Sequence, residues 1–110
     1  MKRGEVWTVA GGSDYSGKPR PAVIVQDDLF SDTASATICV MTTTILAASL
    51  TRITIEPSSA NGLQARSQVM ADKISTVPRA RLGYRIEVLS AADMNRVNRA
   101  LLIFLGLARR

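Results

Sequence analysis

The sequence predicts an α+β fold in which β-structure dominates: a small antiparallel barrel with one amphipathic helix at its C-terminal end. Short alternating or apolar stretches, separated by turn residues, recur as far as Leu89, and this pattern is typical of small barrels. The apolar period then changes, because Met94, Val97 and Leu101 recur at spacings of three and four. Neither a repeat nor a linker divides the chain, so residues 1–110 are predicted to form a single domain.

Six strands are predicted in chain order, and turn residues bound each of them: 4–10, 20–26, 36–44, 50–57, 67–77 and 85–89. The second is a nearly continuous β-branched run, which indicates burial on both of its faces. A single helical turn is predicted after it, around Asp28 to Ser31. The fifth strand alternates up to Lys73 and then changes phase, which predicts a bulge or a bend near Asp72.

The predicted helix spans residues 91–107 and begins with a capping signal. Ser90 suits the N-cap position, and Asp93 places an acid in the first turn. Its apolar stripe is predicted to pack in the core rather than in the groove of a partner, and consists of Met94, Val97, Leu101, Phe104 and Leu105.

The chain is basic, with 14 Lys and Arg against 9 Asp and Glu and a formal net charge of +5. This balance favours an anionic partner, either a nucleic acid or an acidic protein segment. The basic residues are scattered, which does not favour a polybasic membrane patch. No apolar stretch approaches the ~20 residues that span a bilayer, and the N-terminus lacks the apolar run of a signal peptide. A soluble cytoplasmic protein is expected.

Several chemistries are excluded by residues that the chain lacks. It has no histidine and a single cysteine, Cys39, so it has no Ser–His or Cys–His pair, no internal disulfide and no multi-thiolate zinc site. Asp27 and Asp28 are adjacent, so on a strand they would point to opposite faces. We expect no metal site, no phosphate-binding glycine loop and no cofactor.

The stretch GKPRPAVIVQ holds Arg20 between two prolines at the start of the second strand. Pro19 and Pro21 fix their own backbone angles and bias the residue before each of them towards an extended form. An arginine held in this way suits phosphate recognition, because its planar fork makes two hydrogen bonds at fixed geometry. The run Thr42 to Thr44 follows a strand and offers hydroxyls that could face the same pocket. The alternatives are a solvated arginine at the start of an edge strand and threonines that only favour strand structure.

Four segments together resemble the MazF/PemK family of toxins from toxin–antitoxin systems: KRGEVWTV, RPAVIVQ, DKISTVPRARLG and LLIFLGL. The resemblance extends from Lys2 to about Leu107. It implies a CcdB/MazF-type barrel, related to SH3-like barrels, that forms a homodimer. It also implies sequence-specific cleavage of single-stranded RNA through the 2′-hydroxyl without a metal, and inhibition by an acidic MazE-like antitoxin.

Through this resemblance Arg20 matches the catalytic arginine of the family, and Thr43 best matches its active-site threonine. Asp72 matches a catalytic aspartate of the PemK branch, either as the base or as an ion-pair partner of Arg20. The arginine of that branch is replaced here by Met70, and its N-terminal histidine is missing, so the sequence is closer to the MazF pattern. RNA contacts are expected from basic, polar and aromatic side chains, namely Lys18, Tyr15, Arg66, Gln68 and Lys73. Trp7 is expected in the core.

A second function on the same fold remains open at the level of sequence. A CcdB-like toxin binds gyrase through its C-terminal helix end, and an inactive relative would only bind an antitoxin. The tail GLARR lacks the aromatic or apolar ending that such an insertion would favour. The sequence therefore favours the nuclease.

Overall fold

The computed structural model describes residues 1–11, 18–47, 49–58 and 63–109. The strands run in chain order as β1 Glu5–Val9, β2 Arg20–Ile24, β3 Ser35–Thr42, β4 Arg52–Ile55, β5 Ser67–Pro78 and β6 Leu82–Val88. The helix α1 spans Ala91–Phe104. Two single turns of 3₁₀ helix, Asp28–Phe30 and Arg79–Arg81, complete the regular structure of the described residues.

The six strands form one sheet in the order β4-β5-β3-β2-β1-β6, and neighbouring strands are antiparallel. The predicted α+β class with dominant β-structure is confirmed. The sheet does not close into a barrel, however, because β4 and β6 remain its two edges in the described part of the chain. The start of α1 lies between these edges, and Arg96 Nη1 donates to the Thr54 carbonyl of β4 at 2.9 Å. Arg96 thus donates to a carbonyl of an edge strand, a group that could otherwise accept a hydrogen bond from a further strand.

Both faces of the sheet are apolar along its central strands. On one face α1 packs over a cluster that includes Val6, Val23, Cys39, Met41, Val69, Met94, Val97 and Leu101. On the other face a second cluster includes Val9, Ala22, Ile24, Ile38, Val40 and Met70, with Trp7 packed against it. The predicted burial of β2 on both faces is therefore confirmed, and so is the core role of Trp7.

The helix begins where the sequence predicts and ends earlier. Ser90 Oγ accepts a hydrogen bond from the Asp93 amide at 3.1 Å, which caps the first turn. Gly106 adopts a φ of 74°, and the amide of Leu107 donates to the Leu102 carbonyl, which ends the helix in a Schellman motif. Phe104 and Leu105 are 44% and 52% exposed, so the prediction that they pack in the core is wrong. The buried stripe stops one turn earlier, at Leu101.

Strand pairing in the described residues shifts at three places, of which the sequence predicts one. In β5 the pairing shifts between Cys39–Ile74 and Met41–Val69, which confirms the bulge near Asp72. The other two lie in β6. Gly83 and Tyr84 together stand opposite Thr8, and Ile86 is the extra residue between the pairs Val6–Glu87 and Trp7–Arg85. That strand begins at Leu82, three residues before its predicted start.

No helix in the described ranges is both long enough and apolar enough to cross a membrane.

Candidate active site

Arg20 is the first residue of β2 and is exposed. Its backbone pairs with Val9 of β1, and Pro19 and Pro21 flank it. The two prolines leave the chain little freedom to depart from an extended form here, because each fixes its own φ and restricts its predecessor. The position of the Arg20 backbone is thus set by the ladder on one side and by the prolines on both sides.

A cavity of about 680 Å³ opens at the end of the sheet beside Arg20. We call it the Thr43 cavity, and the residues that line it include Thr8, Pro19, Pro21, Thr43, Tyr84 and Arg85. Thr43 follows the last residue of β3 and is exposed. The structure therefore brings Thr43 to the two prolines that flank Arg20.

Alternation along β2 determines which threonine shares a face with Arg20. Ala22 pairs with Val40, and the same antiparallel register continued by two residues places Arg20 opposite Thr42. The Cβ atom of Arg20 thus lies on the sheet face of Thr42, whereas the flanking prolines face the cavity with Thr43. Of the three threonines expected to offer a hydroxyl to the pocket of Arg20, Thr43 lines the cavity and Thr42 shares a sheet face with Arg20. A phosphate that contacts both Arg20 and Thr43 must lie across the end of the strands.

Asp72 is held by an arginine that the sequence analysis did not consider. Arg52 of β4 makes a bidentate ion pair with it, Nε to Oδ1 at 2.7 Å and Nη2 to Oδ2 at 3.1 Å. The side chains are 13% and 28% exposed respectively. Hydrogen bonding to Arg52 holds the pKa of Asp72 below its usual value, and the same bond raises the pKa of Arg52. Asp72 is therefore an ionised carboxylate, and both of its oxygens accept hydrogen bonds from Arg52.

Gln68 is buried, at 2% exposure, and its amide is fully engaged within the protein. Its Oε1 accepts from the Leu46 amide at 3.0 Å, and its Nε2 donates to the Leu46 carbonyl and to Thr54 Oγ1 at 3.0 and 3.1 Å. The expectation that Gln68 contacts RNA does not fit this position, since no polar atom of its side chain faces outward unbonded. Gln68 instead fixes the loop between β3 and β4, which begins at Thr43.

The remaining predicted RNA contacts are dispersed. Lys18 precedes Pro19 and is exposed, and Lys73 is exposed on β5 beside Asp72. Arg66 forms an exposed ion pair with Glu56 at 3.1 Å. It also lines a second cavity of about 410 Å³, which we call the arginine cavity because Arg52, Arg66 and Arg96 all border it. Tyr15 lies outside the described residues.

Glu5 binds Arg85, a residue that lines the Thr43 cavity. Its carboxylate accepts from Arg85 Nη1 at 3.1 Å, from Trp7 Nε1 at 3.0 Å and from the Lys2 amide at 2.7 Å. Burial raises the pKa of Glu5, but these hydrogen bonds outweigh the burial and the pKa is lowered. The carboxylate therefore stays charged and pairs with Arg85, one of the residues that line the Thr43 cavity.

Cys39 takes no part in this site. Burial raises the pKa of its thiol to about 12, so the reactive thiolate is scarce at neutral pH. In the part of the chain that the structure describes, no three acidic or cysteine side chains gather in a group that could hold a metal ion.

Three residues near these cavities were not predicted from the sequence: Arg52, Tyr84 and Arg85. Gly83 within a strand is a signal that was available for Tyr84, because glycine inside a strand often marks a bulge. No local pattern reveals the Arg52–Asp72 pair, since the two residues are 20 positions apart and on different strands.

The sheet order, the C-terminal helix and an arginine held between prolines beside a hydroxyl-bearing cavity define a small, mainly β class of domain. A solved structure described as an endoribonuclease in complex with its cognate antitoxin, from a mycobacterial species, superposes with a TM-score of 0.84 at 29% identity and covers 100% of this chain and 99% of the other. A MazE–MazF structure from Deinococcus radiodurans shares the fold, with a TM-score of 0.77, 18% identity and 98% of each chain covered.

Sequence comparison makes the assignment specific. Residues 2–105 match the family described as PemK-like, MazF-like toxin of type II toxin-antitoxin system. A protein of Mycolicibacterium smegmatis named "Probable endoribonuclease MazF" is 50% identical over 108 residues, which cover 98% of this chain and 99% of that protein. The chain belongs to the PemK-like, MazF-like toxins of type II toxin–antitoxin systems.

Proposed function

We propose that this chain is an endoribonuclease toxin that cuts single-stranded RNA at a short sequence by using the 2′-hydroxyl beside the cut. The observation that supports the reaction class most strongly is the 50% identity, over nearly the whole chain, to a protein named as an endoribonuclease. The Thr43 cavity and Arg20 supply groups suited to that reaction.

In this reaction the 2′ oxygen attacks the phosphorus atom and the bond to the 5′ oxygen breaks. The products are a 2′,3′-cyclic phosphate and a 5′-hydroxyl, with the 2′ proton removed and a proton delivered to the leaving oxygen. Negative charge accumulates on the non-bridging oxygens, and a preorganised guanidinium stabilises it without reorientation. Arg20 takes this role, and its two parallel N–H donors suit two phosphate oxygens.

The scissile phosphate lies across the ends of β2 and β3, where the two faces of the sheet meet. From there it contacts Arg20 on one side and the Thr43 hydroxyl at the cavity on the other. Thr42, on the face of Arg20, already accepts a hydrogen bond from the Thr44 amide at 3.1 Å, and its hydroxyl proton remains to donate. Asp72 is assigned to orient Arg52 rather than to act as the base, because Arg52 occupies both of its oxygens.

The test replaces Arg20 and measures cleavage of a single-stranded RNA under single-turnover conditions. Arg20→Ala is expected to lower the rate by about 10² to 10³, the effect of removing one preorganised donor to a developing oxyanion. Arg20→Lys keeps the positive charge but lacks the planar pair of N–H donors, so its cleavage rate should remain well below that of wild type. Thr43→Val and Thr42→Val, compared in the same assay, identify the hydroxyl in use.

Arg109→Ala provides the matched control, because it removes one exposed positive charge from the C-terminal segment. It should cleave at the wild-type rate. Wild-type cleavage by the folded Arg20→Ala protein would contradict the proposed role of Arg20.

We further propose a homodimer in the cytoplasm that an acidic antitoxin segment inhibits. The net charge of +5 and the three arginines of the arginine cavity suit an acidic peptide. A solved relative with the same fold is described as a complex with its cognate antitoxin, which supports this partner class. Such a segment would compete with RNA for the same basic surface.

A further inference from the structure

We propose that Tyr84 stacks on an unpaired base of the RNA substrate at the mouth of the Thr43 cavity, aimed there by the bulge in β6. The inference rests on the proposed function and adds to it a base-binding subsite. The backbone of β6 departs from regular pairing on both sides of the Trp7–Arg85 pair, and the shift opposite Thr8 contains Tyr84, which lines the cavity.

The bulge places two residues, Gly83 and Tyr84, opposite Thr8 of β1. The Tyr84 amide donates to Thr8 Oγ1 at 3.0 Å, so a side chain replaces the missing ladder bond. A Cβ atom added to Gly83 would overlap Thr8 Oγ1, so only glycine allows this close approach. Bulges occur frequently beside active sites, where they redirect a side chain. The Thr8 contact fixes the backbone from which Tyr84 projects.

Tyr84 is highly exposed for an aromatic residue that lines a cavity. Its side chain is 68% exposed although it lines the Thr43 cavity, whereas Trp7 on the neighbouring strand is half-buried against the core. An aromatic ring in water beside a cavity of about 680 Å³ offers a free face of the size of a base. Such platforms bind single-stranded nucleic acid because every base has a π-face.

The position of Tyr84 relative to Arg20 suits one strand of RNA. Pro21 pairs with Thr8 on β1, and the β6 bulge pairs with Thr8 from the other side. Tyr84 is therefore two strands away from the Arg20 segment, roughly 10 Å at the usual strand spacing. Arg85, the next residue after Tyr84, also lines the cavity, and its guanidinium is bonded to Glu5. A phosphate at Arg20 thus leaves a flanking base, rather than a distant one, within reach of Tyr84.

The experiment measures kcat and KM of the full-length protein on a short single-stranded RNA that contains one cleavage site. Tyr84→Ala is expected to raise KM by roughly 5- to 150-fold, which is the fold-change that corresponds to the loss of one stacked base. Tyr84→Phe keeps the ring and should stay within a few-fold of wild type. Phe30→Ala removes an exposed aromatic ring at the far end of β2 and should leave KM unchanged.

A second arm separates stacking from a structural role. Each base that flanks the cut is replaced in turn by an abasic site. One abasic position should raise KM for wild type and have little further effect on Tyr84→Ala, because the partner of the ring is already gone. An equal abasic penalty in both proteins at every position would overturn the inference, as would an unchanged KM for Tyr84→Ala.

The outcomes also distinguish this inference from the proposed function. If wild type cleaves and Tyr84→Ala keeps the wild-type KM, only the stacking inference fails. If wild type does not cleave, the proposed function fails, and fluorescence anisotropy with the same RNA still decides whether Tyr84→Ala weakens binding more than Phe30→Ala does. A change in oligomeric mass for Tyr84→Ala, with unchanged RNA affinity, would assign the ring to contact between copies of the chain and overturn the inference.

Discussion

Asp72 shows how far a single residue can be interpreted before its neighbours are known. Its match to a family aspartate left two possible roles, the general base or the ion-pair partner of Arg20. In the structure the partner of Asp72 is a different arginine, Arg52, which donates to both carboxylate oxygens. The position of Arg20 itself was well predicted, because prolines on both sides act through local backbone geometry. The pairing of Arg52 with Asp72 depends on the register of β4 and β5, and no local pattern determines that register.

The Arg52–Asp72 pair predicts a pH-dependent contribution to stability. Asp72→Asn should lower the free energy of unfolding at pH 7 by about 1–2 kcal/mol, as expected for a charged, partly buried hydrogen-bonded pair. Because the folded-state pKa of Asp72 is lowered, this contribution is present above the unfolded pKa of roughly 4 and is lost as the pH falls through the folded value. Urea denaturation of both proteins between pH 7 and pH 2.5 measures the difference.

The surface pair between Glu56 and Arg66 provides the control for that experiment. Both of its side chains are more than half exposed, so Glu56→Gln should cause little measurable change at any pH. A gap between wild type and Asp72→Asn that persists undiminished at pH 2.5 would disprove the assigned role of the pair.

At the scale of elements, the sequence predicted the strands, the capped start of the helix and the β5 bulge. It did not predict where the helix ends or which strands form the edges of the sheet. Hydrophobic alternation and turn residues are local signals, which explains why each predicted strand exists within a few residues of its predicted place. The open edges of the sheet, and the hydrogen bond from Arg96 of the helix to the edge of β4, depend on segments that are distant in sequence, so no local pattern predicts them. The helix ends early because Gly106 adopts a positive φ in the Schellman motif.

Gln68 couples β5 to the loop after β3 and predicts a link between that loop and catalysis. Gln68→Met preserves the side-chain volume but removes three hydrogen bonds to Leu46 and Thr54. We expect faster amide hydrogen exchange at Leu46 and a lower kcat, because the loop that begins at Thr43 loses its anchor. Thr54→Val removes one of the three bonds and should have a smaller effect on both readouts. Unchanged exchange at Leu46 in Gln68→Met would rule out the anchoring role.

At the scale of the whole molecule, the net charge of +5 indicates an anionic class of partner but does not identify the surface that would bind it. The basic residues are scattered in sequence, and folding gathers Arg52, Arg66 and Arg96 around one cavity and places Arg20 beside another. The absence of histidine was the most informative feature of composition, since it removes the usual general base and leaves cationic stabilisation as the main electrostatic resource.

Mapping the ends of a long single-stranded RNA after incubation with the purified wild-type protein in EDTA tests the central claim most directly. The proposed reaction predicts cuts at one recurring short sequence, with 5′-hydroxyl and 2′,3′-cyclic phosphate ends, and no such cuts with Arg20→Ala over the same time. RNA that stays intact with wild type, or cuts that disappear in EDTA, would contradict metal-free cleavage by Arg20 and a neighbouring hydroxyl.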